Sequence, residues 1–242
     1  MAKIVIGKDG DEVSSHLCQA IEKQYESYDP SGSRPFVIGL SGGSLPKFFA
    51  AGAPQMTKIN WNKVKFIFCD ERLVSFDDPE STFKVYRETF ISKVNGVTKD
   101  QFVVIDPTKD VEACAQDYQE QLAQLDSPQD GSFPIFDVLL LGMGPDGHTC
   151  SLFPGHPLLD EQSRIVASIS DSPKPPPNRV TLTLPVLNKA RACIFVSTGE
   201  GKKEILKKIL EDKEDFPAGR VKPETGTLTW ILDAPAASLL KL

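Results

Sequence analysis

Short apolar runs alternate with amphipathic stretches along this chain. Lys3–Ile6, Pro35–Leu40, Val64–Phe68, Phe102–Ile105 and Phe136–Leu141 read as strands, as do segments 164–170, 191–197 and 228–232. Helical spacing fills the intervals. Val13, Leu17, Ala20 and Ile21 mark one helix face, and a second helix runs through Phe48-Phe49-Ala50. Phe83, Tyr86, Phe90, Ile91 and Val94 mark a third, opened by Asp78-Pro79 with proline at the first helical position. Val111, Cys114, Tyr118, Leu122 and Leu125 mark a fourth. Strands spaced by helices predict βαβ units, hence an α/β fold with an open, mainly parallel sheet and helices on both faces. Thr181-Leu182-Thr183-Leu184 alternates instead, which suits an exposed or an antiparallel strand. Lys174-Pro175-Pro176-Pro177 is the stiffest segment and is expected as a loop over the site. Tyr28–Arg34 and Asp126–Pro134 read as surface turns. No internal repeat or low-complexity linker breaks the chain, so one domain over 1–242 is the simplest expectation.

Composition narrows the classes of function. The 242 residues are 40% apolar and 25% charged, and the net charge is −6. No basic block is present, which argues against a nucleic-acid partner. An anionic ligand would therefore need a local positive pocket on an acidic protein. No apolar run approaches membrane-spanning length, and Met1–Gly7 is too short to read as a signal peptide. The five cysteines, at 18, 69, 114, 150 and 193, include no Cys-x-x-Cys pair. That usage fits reduced thiols in the cytoplasm and not a disulfide frame or a zinc ribbon.

The chemistry concentrates at strand ends. Gly142-Met143-Gly144-Pro145-Asp146-Gly147-His148-Thr149 follows the apolar run Phe136–Leu141. It puts a carboxylate and an imidazole two residues apart at the carboxyl end of a strand, where α/β folds bind ligands. Asp146 and His148 are the minimum kit for general base catalysis: a base that titrates near neutrality and a neighbour that holds its tautomer. Ser41-Gly42-Gly43-Ser44 follows the second strand and precedes a helix, so its amides and hydroxyls suit an anion. The same stretch fits a Gly-x-Ser-x-Gly nucleophile elbow through Gly39, Ser41 and Gly43, which makes a serine esterase a rival. Only His148 and His156 follow Ser41, and no histidine lies near the C-terminus, so that rival is the weaker one. Gly142-x-Gly144-x-x-Gly147 fits a dinucleotide fingerprint poorly, because Pro145 sits inside the turn and no acid ends a strand at the required distance.

Asp70-Glu71-Arg72 ends the third strand, and Arg72 there can grip a phosphate or a carbonyl oxygen. A metal on Asp70, Glu71, Asp146 and His148 is disfavoured, since no pair has helical ligand spacing. Lys202 precedes a helix face of Ile205, Leu206, Ile209 and Leu210 and is phased inward, whereas Lys203, Lys207 and Lys208 lean outward. Lys202 and Arg179 are the candidate phosphate cations. His16 is expected on a helix surface and His156 in a loop.

Taken together these residues resemble the 6-phosphogluconolactonase family, within the wider glucosamine-6-phosphate isomerase/deaminase group. The resemblance runs through Ser41–Ser44, Asp70–Arg72, Gly142–Pro154, Arg179-Val180-Thr181, Gly199–Lys202 and Trp230–Ala234. Deaminases carry a tyrosine after the Asp-Glu pair and a glutamate in the segment after Asp-Gly-His. Here those positions hold Arg72 and Ser151-Leu152-Phe153-Pro154, which sets the chain with the lactonases. It departs from the lactonase pattern at Ser81-Thr82, where Ser-Asn is usual. The resemblance implies a modified Rossmann-like fold and hydrolysis of 6-phospho-D-glucono-1,5-lactone to 6-phospho-D-gluconate, in the pentose phosphate pathway. It implies His148 as general base on water, Asp146 as its orienting carboxylate and Arg72 on the oxyanion or the phosphate. Ser41, Gly42, Gly43, Ser44, Arg179 and Lys202 would hold the phosphate. No cofactor or metal is expected, and the partner would be the sugar-phosphate lactone alone. The chain would act in the cytoplasm as a monomer or homodimer. A deaminase-like isomerase and a non-catalytic sugar-phosphate sensor are the remaining alternatives.

Overall fold

Runs that are apolar throughout end up in the middle of the sheet because only there are both faces covered. A computed structural model describes residues 2–241, so Met1 and Leu242 of the expected 1–242 span lie outside the described residues. In chain order the elements are β1 (Lys3–Gly7), α1 (Gly10–Tyr25), β2 (Phe36–Leu40), α2 (Leu45–Gly52), β3 (Val64–Phe68), β4 (Asp70–Arg72) and α3 (Thr82–Thr89). Then follow α4 (Val111–Ala123), β5 (Gln129–Asp130), β6 (Phe133–Pro134), β7 (Val138–Leu141), β8 (Val166–Ile169) and β9 (Arg179–Leu182). The chain continues through α5 (Leu184–Lys189), β10 (Ala192–Ser197), α6 (Lys203–Leu210), β11 (Thr227–Asp233) and α7 (Ala234–Ala237).

Six strands form the main sheet in the order β1-β11-β10-β7-β2-β3, and every neighbouring pair is parallel. All residues of β2, β7 and β10 are buried. One hydrophobic cluster runs from Val13 in α1 to Ala237 in α7. From β2 the chain moves outward to β3 on one side, and from β7 it moves outward through β10 and β11 on the other. The carboxyl ends of β2 and β7 therefore flank the topological switch point, the crevice where such sheets bind ligands.

A second, antiparallel sheet of three strands, β4-β9-β8, lies beyond β3 in the chain path. The chain leaves the main sheet at Cys69, whose N–H still donates to Leu40 O at 2.7 Å while its own carbonyl accepts from Leu182 N at 2.8 Å. Asp70-Glu71-Arg72 is thereby transferred to β9, with Asp70 opposite Thr181 and Arg72 opposite Arg179. Of the two expectations for the alternating segment Thr181–Leu184, the antiparallel strand is found for Thr181-Leu182, in β9, which is buried along its whole length; Thr183 lies outside it and Leu184 opens α5.

Three expected elements differ. Phe102–Ile105 is not a strand: it touches β3 at one bridge, Phe66 to Phe102, and turns away before Asp106-Pro107, where proline has no N–H to give a ladder. The helix expected from Asp78-Pro79 starts at Thr82, because Ser81 caps it and the Glu71 carboxylate accepts the Thr82 and Phe83 N–H groups, each at 2.8 Å. It ends at Thr89, so Phe90, Ile91 and Val94 fall outside it. The expected surface turn 126–134 contains the small β5–β6 hairpin.

Candidate active site

The turn after β7 is closed by its own backbone. Gly144 N donates to His148 O at 2.9 Å, Gly147 N donates to Gly144 O at 3.0 Å, and Thr149 Oγ1 donates to Gly142 O at 2.8 Å. This loop brings Asp146 Oδ1 to 2.5 Å from His148 Nδ1. The Nδ1 proton then belongs to that bond, which leaves Nε2 as the basic nitrogen. Phe153 packs on the imidazole with ring centroids 4.8 Å apart and fixes its other face. Gly144 permits the pair to exist: a β-carbon there would lie 2.0 Å from His148 Nδ1 and 2.5 Å from Asp146 Oδ1.

Burial is the largest influence on His148 and pushes its pKa below the ordinary 6.5; Lys174 adds to this, and Asp146 opposes it. Burial pushes the Asp146 carboxyl up, but the hydrogen bonds and charges of His148 and Lys174 outweigh it and hold the carboxyl below its ordinary value. At neutral pH the pair is thus a carboxylate beside a neutral imidazole, the state a general base needs.

The β2 turn lies across the crevice. Ser41, Gly42, Gly43 and Ser44 line the same cleft as His148, together with Arg72, Lys174, Arg179 and Lys202; its volume is about 330 Å³. Gly43 has φ +71°, and a β-carbon there would meet nothing within 4 Å, so the backbone is presented to open space. Tyr86 in α3 donates to Ser41 O at 3.0 Å and pins the turn from below. Thr82 packs under Gly42, its Oγ1 3.2 Å from where a β-carbon would sit. The hydroxyls of Ser41 and Ser197, both buried, have no hydrogen-bond partner among the described residues. Each such orphan costs about 1–3 kcal/mol, a cost that a polar ligand in the cleft would remove.

The cations differ in how much of themselves is free. Lys202 points inward, with Nζ 2.7 Å from Met143 O, while Lys203 turns out to an ion pair with Glu200 at 2.7 Å. Burial, then the charge of Lys174, lowers the Lys202 pKa. Arg72 donates through Nη1 to Glu80 O at 2.8 Å and Glu80 Oε2 at 3.0 Å. Arg179 donates through Nε to Pro176 O at 3.1 Å and through Nη2 to Lys174 O at 2.9 Å and Pro175 O at 3.1 Å. Much of Arg179 therefore clamps the proline loop, which does lie over the cleft.

Every site residue expected from the sequence falls in or against this one cleft; Asp146 alone is not part of the lining and joins it through His148. Ser41 Oγ has no partner and so lacks the adjacent base that a serine nucleophile requires. No helix starts at Gly147, as the dinucleotide fingerprint would need. Asp70 Oδ2 accepts from Ser151 Oγ at 2.8 Å, and the Glu71 carboxylate accepts three backbone N–H groups, so both are engaged in structure. Among the described residues no group of three or more His, Cys, Asp or Glu gathers as a metal site. A larger cleft of about 990 Å³, lined by Lys3, His16, Lys23 and Lys222 among others, surrounds the amino ends of β1 and β11. It contains neither the Asp146–His148 pair nor a glycine turn at a strand's carboxyl end, so the smaller cleft is the candidate site.

Sequence reasoning missed three members. Lys174 was noted only as the start of a proline loop; its Nζ lies 3.2 Å from both Asp146 Oδ1 and His148 Nδ1. Ser197 carried a usable signal, a polar residue ending the apolar strand β10. Phe153 carried none, because an aromatic in a loop has no period.

Comparison with known proteins agrees with this picture. Residues 8–230 match the family of glucosamine-6-phosphate isomerases/6-phosphogluconolactonase. The chain is 50% identical over 236 residues to a 6-phosphogluconolactonase of Rattus norvegicus, covering 96% of this chain and 91% of that protein. It is 48% identical over 246 residues to a 6-phosphogluconolactonase of Homo sapiens, covering 98% of this chain and 93% of that protein. Among solved structures, a 6-phosphogluconolactonase from Trypanosoma cruzi superposes with a TM-score of 0.85 at 28% identity, covering 100% of this chain and 98% of that one. No helix among the described residues is long and apolar enough to cross a membrane.

Proposed function

The chain belongs to the glucosamine-6-phosphate isomerase/6-phosphogluconolactonase family, and from that premise we propose that it hydrolyses 6-phospho-D-glucono-1,5-lactone to 6-phospho-D-gluconate. The observation that carries this reading is the Asp146–His148 pair set in a cleft rich in cations and unpartnered hydroxyls. His148 Nε2 takes a proton from water as the oxygen attacks the lactone carbonyl carbon. The carbonyl π pair moves onto its oxygen, and Arg72 steadies that charge or the phosphate. Collapse re-forms the carbonyl and breaks the bond to the ring oxygen, which receives the proton from His148. Asp146 holds the tautomer and balances the imidazolium in between. Ser41, Gly42, Gly43, Ser44, Lys202 and the free face of Arg179 hold the phosphate. A lactone is already an activated acyl group. Base catalysis worth about 10²–10⁴-fold, with positioning, suffices without a metal.

We take 1–242 to act as one domain, which the hydrophobic cluster running through the described residues supports, and without nucleic acid, which the net charge of −6 supports; we take it to act in the cytoplasm as a monomer or homodimer. The direct test is a lactonase assay on freshly made substrate, corrected for spontaneous hydrolysis. Absence of enzyme-dependent turnover would refute the reading and leave a sugar-phosphate sensor.

Two further outcomes are expected. Activity should survive exhaustive chelation, since Asp70 and Glu71 are engaged by Ser151 and by backbone N–H groups. Loss on chelation with recovery on zinc or magnesium would overturn that. Lys202→Ala should lower kcat/KM on the phosphorylated lactone by the value of a charge-assisted hydrogen bond, about 1.5–3 kcal/mol or roughly 10–150-fold. On the unphosphorylated lactone it should match the parent. Lys203→Ala should change little on either substrate, because its ion pair with Glu200 faces solvent. Equal losses for the two lysines would refute the assignment of Lys202 to phosphate.

A further inference from the structure

Lys174 reaches both members of the acid–base pair: its Nζ lies 3.2 Å from Asp146 Oδ1 and 3.2 Å from His148 Nδ1. Asp146 Oδ1 is therefore shared between an ammonium and the imidazole. The backbone beneath the lysine is fixed. Lys174 O accepts from Arg179 Nη2 at 2.9 Å and from Ser172 Oγ at 2.8 Å. The side chain is not fixed in the same way: it is 38% exposed and carries its charge on a flexible four-carbon stem. Lys174 and Lys202 line one cleft, and the Lys174 charge is, after burial, a cause of the lowered Lys202 pKa. Two ammonium groups that repel each other inside a cleft form a site for a dianion. A phosphate there offers Lys174 more negative charge than its share of one carboxylate.

We propose that Lys174 is a positioning residue operated by the substrate's phosphate: in the free protein its ammonium occupies Asp146, and on binding it moves to the phosphate and leaves Asp146 to His148 alone. His148 becomes the stronger base only when a phosphorylated ligand is in place. The inference rests on the reading of His148 as the general base. The charged groups around the imidazole are Asp146 from its own turn, Lys174 from the proline loop, Asp70 and Arg72 from β4, Arg179 from β9 and Lys202 at the start of α6. Among the described residues, only Asp146 and Lys174 are within hydrogen-bond distance of its Nδ1.

The test is an NMR titration of the His148 imidazole, free and with saturating 6-phosphogluconate or gluconate. In the parent, 6-phosphogluconate should raise the His148 pKa by at least about 0.5, and gluconate should not. In Lys174→Met the free protein should already show the raised value, and 6-phosphogluconate should add less than it does in the parent. Lys174→Arg, which keeps the charge, should behave as the parent. An unchanged His148 pKa in free Lys174→Met would overturn the proposal. So would a ligand-induced rise of equal size in parent and Lys174→Met, since the phosphate would then act on His148 directly. The lactonase activity of His148→Ala tests the base reading separately, so the two can fail independently.

Discussion

His148→Ala is expected to lower kcat by at least about 10²-fold while substrate binding changes little, the signature of a group that acts in the transition state. The imidazole is held by Asp146 at 2.5 Å and packed by Phe153, with no structural partner beyond them and Lys174 among the described residues. Its removal therefore deletes a base without dismantling the cleft. His16→Ala and His156→Ala should be near neutral. His156 bonds Asp171 at 3.0 Å outside the cleft, and His16 lies on α1. The pH profile follows from the environment. Burial sets the His148 pKa below 6.5, and a general base acts as its neutral ring. Activity should thus hold through neutrality and fall only as pH drops through that depressed value. Near-normal turnover in His148→Ala, or an acid limb above 6.5 that disappears in another variant, would sink the base assignment.

Gly144→Ala should be at least as damaging as removing the histidine. The added methyl would need space that His148 Nδ1 and Asp146 Oδ1 occupy, 2.0 and 2.5 Å away. Neither atom can retreat without breaking the bond between them, so the substitution attacks the pair itself. The same residue closes the turn, through its N–H to His148 O and its carbonyl to Gly147 N. Turnover near background is expected, with thermal unfolding used to separate loss of the site from loss of the fold. Parent-like turnover in a folded Gly144→Ala protein would show that the turn relaxes and that the dyad geometry is not needed.

Much of the site was legible because its signals are local. A glycine turn after an apolar run announces a strand's carboxyl end, and Asp146 and His148 sit two residues apart on one such turn. The helix phase of Ile205, Leu206 and Ile209 was enough to turn Lys202 inward and Lys203 outward. The failures are where a distant segment intervenes. The start of α3 was misplaced because, beside the Ser81 cap, its first free N–H groups are taken by the Glu71 carboxylate, eleven residues upstream of Thr82 and on β4. Phe102–Ile105 has a strand's composition, but composition does not supply a partner, and only one bridge to β3 forms.

The sequence by itself determined the class of fold, the succession of most strands and helices, and the residue types gathered at strand ends. These depend on hydrophobic period and turn chemistry, which neighbours along the chain decide. Strand order was decided only by the tertiary structure. Pairing of Ile38 with Val138 and of Gly39 with Leu139 makes β2 and β7 adjacent, and that adjacency alone sets the Ser41–Ser44 turn against His148. The handover of Asp70–Arg72 from the main sheet to β9 brings Arg72 opposite Arg179, and the folding of the proline loop over the cleft delivers Lys174 to Asp146. Each is a contact between segments with no period in common. Only the packing of the whole chain can satisfy their charges and backbone groups together.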